Sequence, residues 1–387
     1  MTTAATPLQN VALTTEQSDA LSKVRTLGDS LNSSFMERRD EVRALLVALL
    51  AREHVLLLGP PGTAKSALTQ AFSRALDGSR YFERLLTPFS VLEEVFGPFS
   101  VAGLQSDRYE RKVDGYLPTA DVAFIDECFK ANSAILNSLL TILNERAFDQ
   151  GSTRVRCPLQ IAIGASNELP QDESLAALYD RFVLRRWVEP VKSESNLRSL
   201  ITMTGAPSVA VRITVDEIEA ARTAADAVLI SDDTVDALIA LKKALSRECG
   251  IEISDRRLRK SVSLVKAYAA LSGAQVAEPL HLHVLADSLW DEPSDRAAVQ
   301  AQVDKVSKSP VAEAKAILDA AVEARESLDL DKATMSDLDN MVAVSGALRS
   351  MAKEIEGLGL DEARASVFVD QIMAMQREVA DATAQVI

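Results

Sequence analysis

The chain has 387 residues, 47% of them hydrophobic and 25% charged, with 15 Gly and 13 Pro. These are globular values; they exclude collagen-like, low-complexity and wholly disordered classes, and the length predicts two or three domains. The net charge of −14 opposes generic binding to nucleic acid or anionic lipid, so no nucleic-acid partner is expected. Three scattered cysteines (Cys128, Cys157, Cys249) and three histidines (His54, His281, His283) offer neither a disulfide framework nor a zinc spacing, and they suit a reducing, cytoplasmic setting. The longest apolar run, residues 44–51, is far too short to span a bilayer, and the first residues lack the pattern of a signal peptide.

Residues 1–13 read as a flexible tail. From Thr14 to Ala51 the pattern is helical, with Thr15-Glu16 as its opening. Val55 to Leu58 is a short apolar run ending at Gly59-Pro60-Pro61-Gly62, the signature of a buried strand, and residues 67–76 form a helix. Val122-Ala123-Phe124-Ile125 and Ile161-Ala162-Ile163-Gly164 repeat the strand pattern. Between them a helix presents Ile135, Leu136, Leu139, Leu140 and Leu143 on one face and is capped by Asn132 or Ser133. Apolar strands alternating with helices predict an α/β fold whose parallel sheet is covered on two sides. This core covers residues 14–190, interrupted at 97–118 by a Gly- and Pro-containing hairpin or loop. After Pro190 the strand signal ends. Residues 191–292 read as a second, all-helical domain and residues 293–387 as a C-terminal helical domain. In the last of these, Met341, Val344, Leu348, Met351 and Ile355, then Phe368, Ile372, Met375, Val379, Ala382 and Val386, mark two apolar seams around Gly357 and Gly359. They predict an antiparallel helical hairpin packed in a terminal bundle.

The strongest chemical signal is Gly59-Pro60-Pro61-Gly62-Thr63-Ala64-Lys65-Ser66, continuing into Ala67, which follows a strand and opens a helix. Glycines let such a loop turn its N–H groups inward, and those groups with the helix N-terminus attract a polyphosphate. Lys65 supplies a cation for the β- and γ-phosphates, and the Ser66 hydroxyl a ligand for Mg²⁺. Ala64 stands where glycine is usual, which requires that this residue keep a negative φ. Asp126 and Glu127 end a buried strand at the edge where α/β sheets bind ligands. Asp126 is placed to hold Mg²⁺ and Glu127 to orient and polarise an attacking water. Asn167, after the third run, is placed to hydrogen-bond that water or the γ-phosphate. Arg181 lies too far round the domain to serve its own phosphate and is placed to reach a neighbour's in a ring. Arg256 or Arg257, opening a helix of the second domain, could fold back over the nucleotide.

These residues together resemble an AAA+ ATPase: a P-loop parallel-sheet core with a helical lid and a C-terminal helical bundle. The insertion at 97–118 is similar to the helix-2 insert of the MoxR branch. Glu94-Val95-Phe96-Gly97-Pro98, Arg108-Tyr109-Glu110-Arg111, Gly115-Tyr116-Leu117-Pro118, Ile135-Leu136-Asn137, Ser166-Asn167-Glu168-Leu169-Pro170 and Ala177-Leu178-Tyr179-Asp180-Arg181 resemble its RavA-like members. The resemblance covers about residues 15–290. It implies ATP/ADP and Mg²⁺ as ligands, with Asn167 as sensor 1, Arg181 as the arginine finger and Arg256 as sensor 2. It also implies a homo-oligomeric, hexameric ring that remodels, chaperones or metal-loads a client protein together with a von Willebrand factor A domain partner. The β-rich domain that RavA-like members insert in their C-terminal helices has no counterpart in residues 296–387, which are helical and too short. Two other readings stay open from the sequence: a nucleic-acid-linked motor on the same core, and a nucleotide-gated scaffold with residues 335–386 as its docking arm.

Overall fold

The computed structural model describes residues 13–170, 173–203, 207, 209–307, 310–328, 335–358, 360 and 362–386; apart from Leu13, the expected tail lies outside them. The chain divides into two compact units between Val299 and Gln300.

The first unit is built on five parallel strands: β1 (Val55–Leu58), β2 (Tyr81–Leu85), β3 (Val122–Asp126), β4 (Ile161–Ser166) and β5 (Leu184–Trp187), in the order β2-β3-β4-β1-β5. Every residue of β1 and β4, and all of β3 except Asp126, is buried, as expected for strands covered on both faces. The two edge strands were invisible to the apolar pattern. Tyr81-Phe82-Glu83-Arg84-Leu85 mixes charge with apolar residues, and Leu184-Arg185-Arg186-Trp187 carries two arginines. Arg185 is nonetheless buried, because Trp290 O, Phe182 O and Asp291 accept its protons and Tyr179 stacks on it at 3.7 Å. Edge strands need only one neighbour, so tertiary partners can override a weak strand pattern.

The single helical stretch expected over residues 14–51 is two helices, α1 (Thr15–Ser34) and α2 (Arg39–Ala51). Thr14 caps α1 in a capping box with Gln17. The chain breaks at Phe35–Arg38, where Glu37 takes φ +55°. Helix α3 (Lys65–Ala75) follows β1 directly, and α4 (Ser133–Glu145) follows β3, capped by Asn132, whose Oδ1 accepts the Ile135 N–H at 3.1 Å. The hairpin Ala147–Gln150/Thr153–Arg156 then leads into β4, and α5 (Glu173–Tyr179) connects β4 to β5. The expected insertion at 97–118 contains a helical turn, Val101–Gln105, closed by an antiparallel bridge between Phe99 and Arg111, and so is only in part a hairpin.

Residues beyond β5 contain α6 (Glu194–Thr202), α7 (Val215–Ala227), α8 (Asp232–Ala244), α9 (Asp255–Leu271) and a 3₁₀ segment, Pro279–Asp287. The all-helical expectation needs one correction. Two-residue parallel ladders pair Leu229-Ile230 with Val276-Ala277, and Leu76-Asp77 with Ile213-Thr214, tying this region to itself and to the core. Helix α10 (Arg296–Ser307) crosses the division between the units. The second unit contains α11 (Pro310–Glu326), α12 (Leu338–Glu356) and α13 (Glu362–Val386), packed around Ala321, Met341, Leu348, Ile355, Ile372 and Val379. It is a bundle in whose core stand Met341, Leu348 and Ile355 of the first seam and Ile372 and Val379 of the second, with Val344, Met351, Phe368, Met375 and Ala382 packed against them; Gly359 lies outside the described residues.

Candidate functional site

Parallel strands deliver β1, β3 and β4 to one edge in register, so the residues that follow them meet there. After β1 the chain turns at Gly59, with φ +141°, and a Cβ there would lie 2.3 Å from Val188 O; only glycine fits. Gly62 has φ +78°. Ala64 has φ +65° and ψ 22°, which overturns the expectation of a negative φ. Ala64 is the N-cap of α3, a position that is extended at α1, α4, α7 and α9, so its left-handed backbone belongs to this loop. The loop is braced from behind. Buried Arg38 donates through Nε to Thr63 O at 3.1 Å and through a terminal nitrogen to Glu189 O at 2.8 Å, and Thr63 Oγ1 donates to Pro60 O at 3.0 Å.

Lys65 curls into this loop. Its Nζ donates to Gly59 O at 2.8 Å and Pro60 O at 2.9 Å. Burial lowers its pKa, while the nearby charges of Asp126 and Glu127 act the other way. Burial raises the Asp126 carboxyl, with Glu127's charge adding to it and Lys65 opposing. Asp126 Oδ1 accepts the Glu127 N–H at 3.0 Å, and Glu127 itself is left-handed, φ +50°. A non-glycine residue in that region is strained, a condition common at functional sites. Glu127 Oε1 accepts from Asn167 Nδ2 at 2.7 Å; its buried Oε2 has no hydrogen-bond donor, and Lys130 Nζ lies 3.3 Å away as an ion pair. Lys65, Asp126, Glu127 and Asn167 therefore form one electrostatically linked group, with Ser66 on the first turn of α3 beside it.

This arrangement fits a magnesium triphosphate. The loop supplies glycine turns and a helix start, Lys65 a cation, and Ser66 and Asp126 two oxygen ligands. Among the described residues no group of three His, Cys, Asp or Glu is placed to hold a metal alone; Mg²⁺ at phosphate loops takes one or two protein oxygens and completes its shell with phosphate and water.

Arg181 and Arg256 lie elsewhere. Arg181 precedes β5, and Arg256 donates to Asn144 Oδ1 at 2.6 Å near the end of α4. Both positions are at the opposite edge of the sheet, where the strands begin. A four-residue strand such as β1 spans about 13 Å, so neither arginine folds over the phosphate loop of its own chain, and the fold-back expected for Arg256 does not occur. Arg257, the alternative, is buried among Asp291 and Trp290 O as a packing element. Among the described residues Arg181 is ion-paired with Asp180 at 3.5 Å and its buried Nε has no hydrogen-bond partner; burial and then the charge of Arg256 lower its pKa. Two under-paired guanidinium groups thus share one edge. Arg38 and Lys130 were not singled out from sequence. Only the break in the helical pattern at Arg38, and the three-residue spacing from Glu127 to Lys130, mark them.

Comparison with known proteins points the same way. A family described as the MoxR domain in the MoxR-vWA-beta-propeller ternary systems matches residues 22–225, and an AAA lid domain matches residues 233–303. An uncharacterised protein of Methanocaldococcus jannaschii is 37% identical over 91% of this chain and 95% of its own length. Chaperone MoxR1 of Mycobacterium tuberculosis is 28% identical over 37% of this chain and 38% of its own. In fold, the crystal structure of a candidate ATPase from Cytophaga hutchinsonii superposes with a TM-score of 0.62 at 17% identity, covering 76% of this chain and 96% of that one.

Proposed function

Because the chain belongs to the MoxR family of AAA+ ATPases, we propose that it hydrolyses Mg·ATP at the edge formed by Lys65, Asp126, Glu127 and Asn167, in a ring of its own copies. The observation that carries this reading is the Glu127 carboxylate. Asn167 holds one oxygen at 2.7 Å, and the other, ion-paired with Lys130 Nζ at 3.3 Å, makes no hydrogen bond among the described residues and can take one from a water. Phosphoryl transfer is promoted mainly by positioning and charge neutralisation, and this site supplies both.

The roles divide by geometry. Lys65 exchanges its contacts with Gly59 O and Pro60 O for phosphate oxygens; the N–H groups from Gly62 to Ala67 line the same ligand. Ser66 and Asp126 hold Mg²⁺, which neutralises phosphate charge when bound. Glu127 takes the hydrogen bond of the attacking water, and Asn167 keeps that carboxylate turned toward it. Arg181 and Arg256, at the opposite edge, act on the nucleotide of a neighbouring copy. On this reading both act in trans, and a closed ring, a hexamer, is the working form. Residues 14–190 are the nucleotide-binding core and 191–292 its lid. The MoxR-vWA-beta-propeller description of the matched family supports a von Willebrand factor A domain partner, with remodelling, chaperoning or metal-loading of a client as the output. A cytoplasmic setting goes with this reading; no helix among the described residues is long and apolar enough to cross a membrane.

The test is phosphate release from Mg·ATP by the wild type and by Glu127→Gln. Removing a general base lowers turnover about 10²–10⁴-fold with nucleotide binding retained. A wild type that releases nothing, with or without the partner, removes the enzyme claim.

A further inference from the structure

The edge of the sheet opposite the phosphate loop holds a cationic feature that ATP hydrolysis leaves unused. Where the hairpin returns to β4, a cavity of about 620 Å³ is lined by Arg52, Arg146, Arg156, Arg222, Glu219 and Gln160, with Cys157, Pro158 and Leu159 as its apolar wall. In a chain of net charge −14, four guanidinium groups converge on one cavity against a single lining carboxylate.

The convergence is built into the fold. Arg146 is the C-cap of α4 at φ +52°, and its guanidinium donates to Leu143 O at 3.1 Å and Arg52 O at 2.9 Å. Arg52 is the C-cap of α2 at φ +56°. Arg222 is buried on α7 and donates through Nε to Leu49 O at 2.8 Å. Arg52 is paired with Glu219 and Asp226, Arg222 with Glu219, and Glu53 with Lys260 at 2.7 Å, so Arg146 and Arg156 are the lining guanidinium groups without a carboxylate ion pair among the described residues. Burial lowers the pKa of Arg146, and the charges of Arg222 and Arg52 add to that, with Glu53 opposing. Arg156 ends the hairpin, is exposed, and meets no carboxylate among the described residues.

We propose that this cavity binds a small phosphate-bearing anion, separately from the phosphate loop, with Arg156 closing on it. Guanidinium groups match phosphate oxygens in pairs, and partly buried ones bind anions most strongly because they are less screened. The volume falls within the range of small-molecule sites and admits anything from a diphosphate to a nucleotide. Arg52 lies just before β1 and Gln160 just before β4, whereas Lys65 lies beyond the far end of β1, so the two anion sites are separated by the length of the sheet.

The experiment uses the full chain carrying Lys65→Ala, which silences the phosphate loop, titrated calorimetrically with pyrophosphate and, separately, ADP at low salt. Pyrophosphate binds this protein, binds more weakly as salt rises, and loses about tenfold or more in affinity when Arg156→Ala is added; Arg156→Lys keeps part of it. ADP binding tighter than pyrophosphate identifies a nucleotide as the source of the phosphate; weaker binding identifies the free anion. Arg156 is exposed and unpaired, so the variant folds, and an unchanged melting temperature verifies it. Absence of pyrophosphate binding to Lys65→Ala, or affinity unchanged by Arg156→Ala, overturns the site. ATP retained by the double variant Lys65→Ala with Arg156→Ala counts against the phosphate-loop assignment, whereas pyrophosphate or nucleotide binding to Lys65→Ala that Arg156→Ala removes belongs to the present site.

Discussion

Ala64 tests how a phosphate loop tolerates a side chain at a left-handed position. The left-handed region costs a non-glycine residue about 1–2 kcal/mol, while glycine costs about 0.5–1 kcal/mol in lost chain entropy. The first outweighs the second at φ +65°. Ala64→Gly is therefore expected to stabilise the protein by up to about 1 kcal/mol in urea titration, with the KM for ATP unchanged. Lys65 and Arg181 separate two functions that one sequence motif list cannot. Lys65→Ala abolishes nucleotide binding at the loop because the loop loses its only cation. Arg181→Ala leaves binding intact and stops turnover, since its guanidinium sits a strand length from its own loop. Fluorescent-nucleotide binding set beside phosphate release checks both, and an equal loss of binding in the two variants would remove the trans role of Arg181.

At the scale of elements, the sheet edge opposite the nucleotide is held by a buried imidazole. His54 sits just before β1; its Nδ1 accepts the Ala162 N–H at 3.0 Å, and its Nε2 lies 3.0 Å from Leu143 O and 2.8 Å from an Arg146 nitrogen. Burial, then the charge of Arg146, holds its pKa well below the usual value. The unfolded chain takes up a proton at this residue near pH 6.5 and the folded chain does not, so stability is full above that pH and falls as pH drops, by at most about 1.4 kcal/mol per unit. Burial raises the Glu41 and Glu53 carboxyls, which pull the other way at lower pH. The difference between wild type and His54→Asn isolates the histidine. Urea stability at pH 7.5 and 5.5 should fall more steeply in the wild type, and parallel slopes would show that His54 is protonated in the fold.

For the whole molecule, two compact units predict that unfolding is not a single transition. Leu348 and Ile372 are fully buried in the bundle of the second unit. Leu348→Ala is expected to cost about 2–5 kcal/mol there and to move one calorimetric transition while the other stays in place. Assembly gives the sharpest check on the shared site. A mixture of Glu127→Gln and Arg181→Ala protomers, each inactive alone, regains about a quarter of wild-type turnover when mixed equally, because that share of interfaces in a random ring pairs an intact Glu127 with an intact Arg181. Mixing without recovery would place both residues in one protomer's site.

Local chemistry alone marked Gly59–Ser66, Asp126-Glu127 and Asn167 as candidates for one site, and determined the three buried strands and most of the paired seams of the terminal bundle. Each is a contiguous pattern whose physical cause, a glycine turn, an apolar run or a repeated stripe, acts within a few residues. The tertiary structure decided the rest. Edge strands β2 and β5 form because neighbours pair their backbones and, for Arg185, satisfy a buried charge. Ala64 is left-handed as part of the loop that enters α3. Arg256 faces away from the glycine loop of its own chain because it donates to Asn144 near the far end of α4. Four arginines, two from helix C-caps, one from the middle of α7 and one from a hairpin, share one cavity because the fold brings these elements to the same edge of the sheet. Contacts between residues a hundred or more positions apart leave no periodic trace in the chain, so only the folded arrangement reveals them.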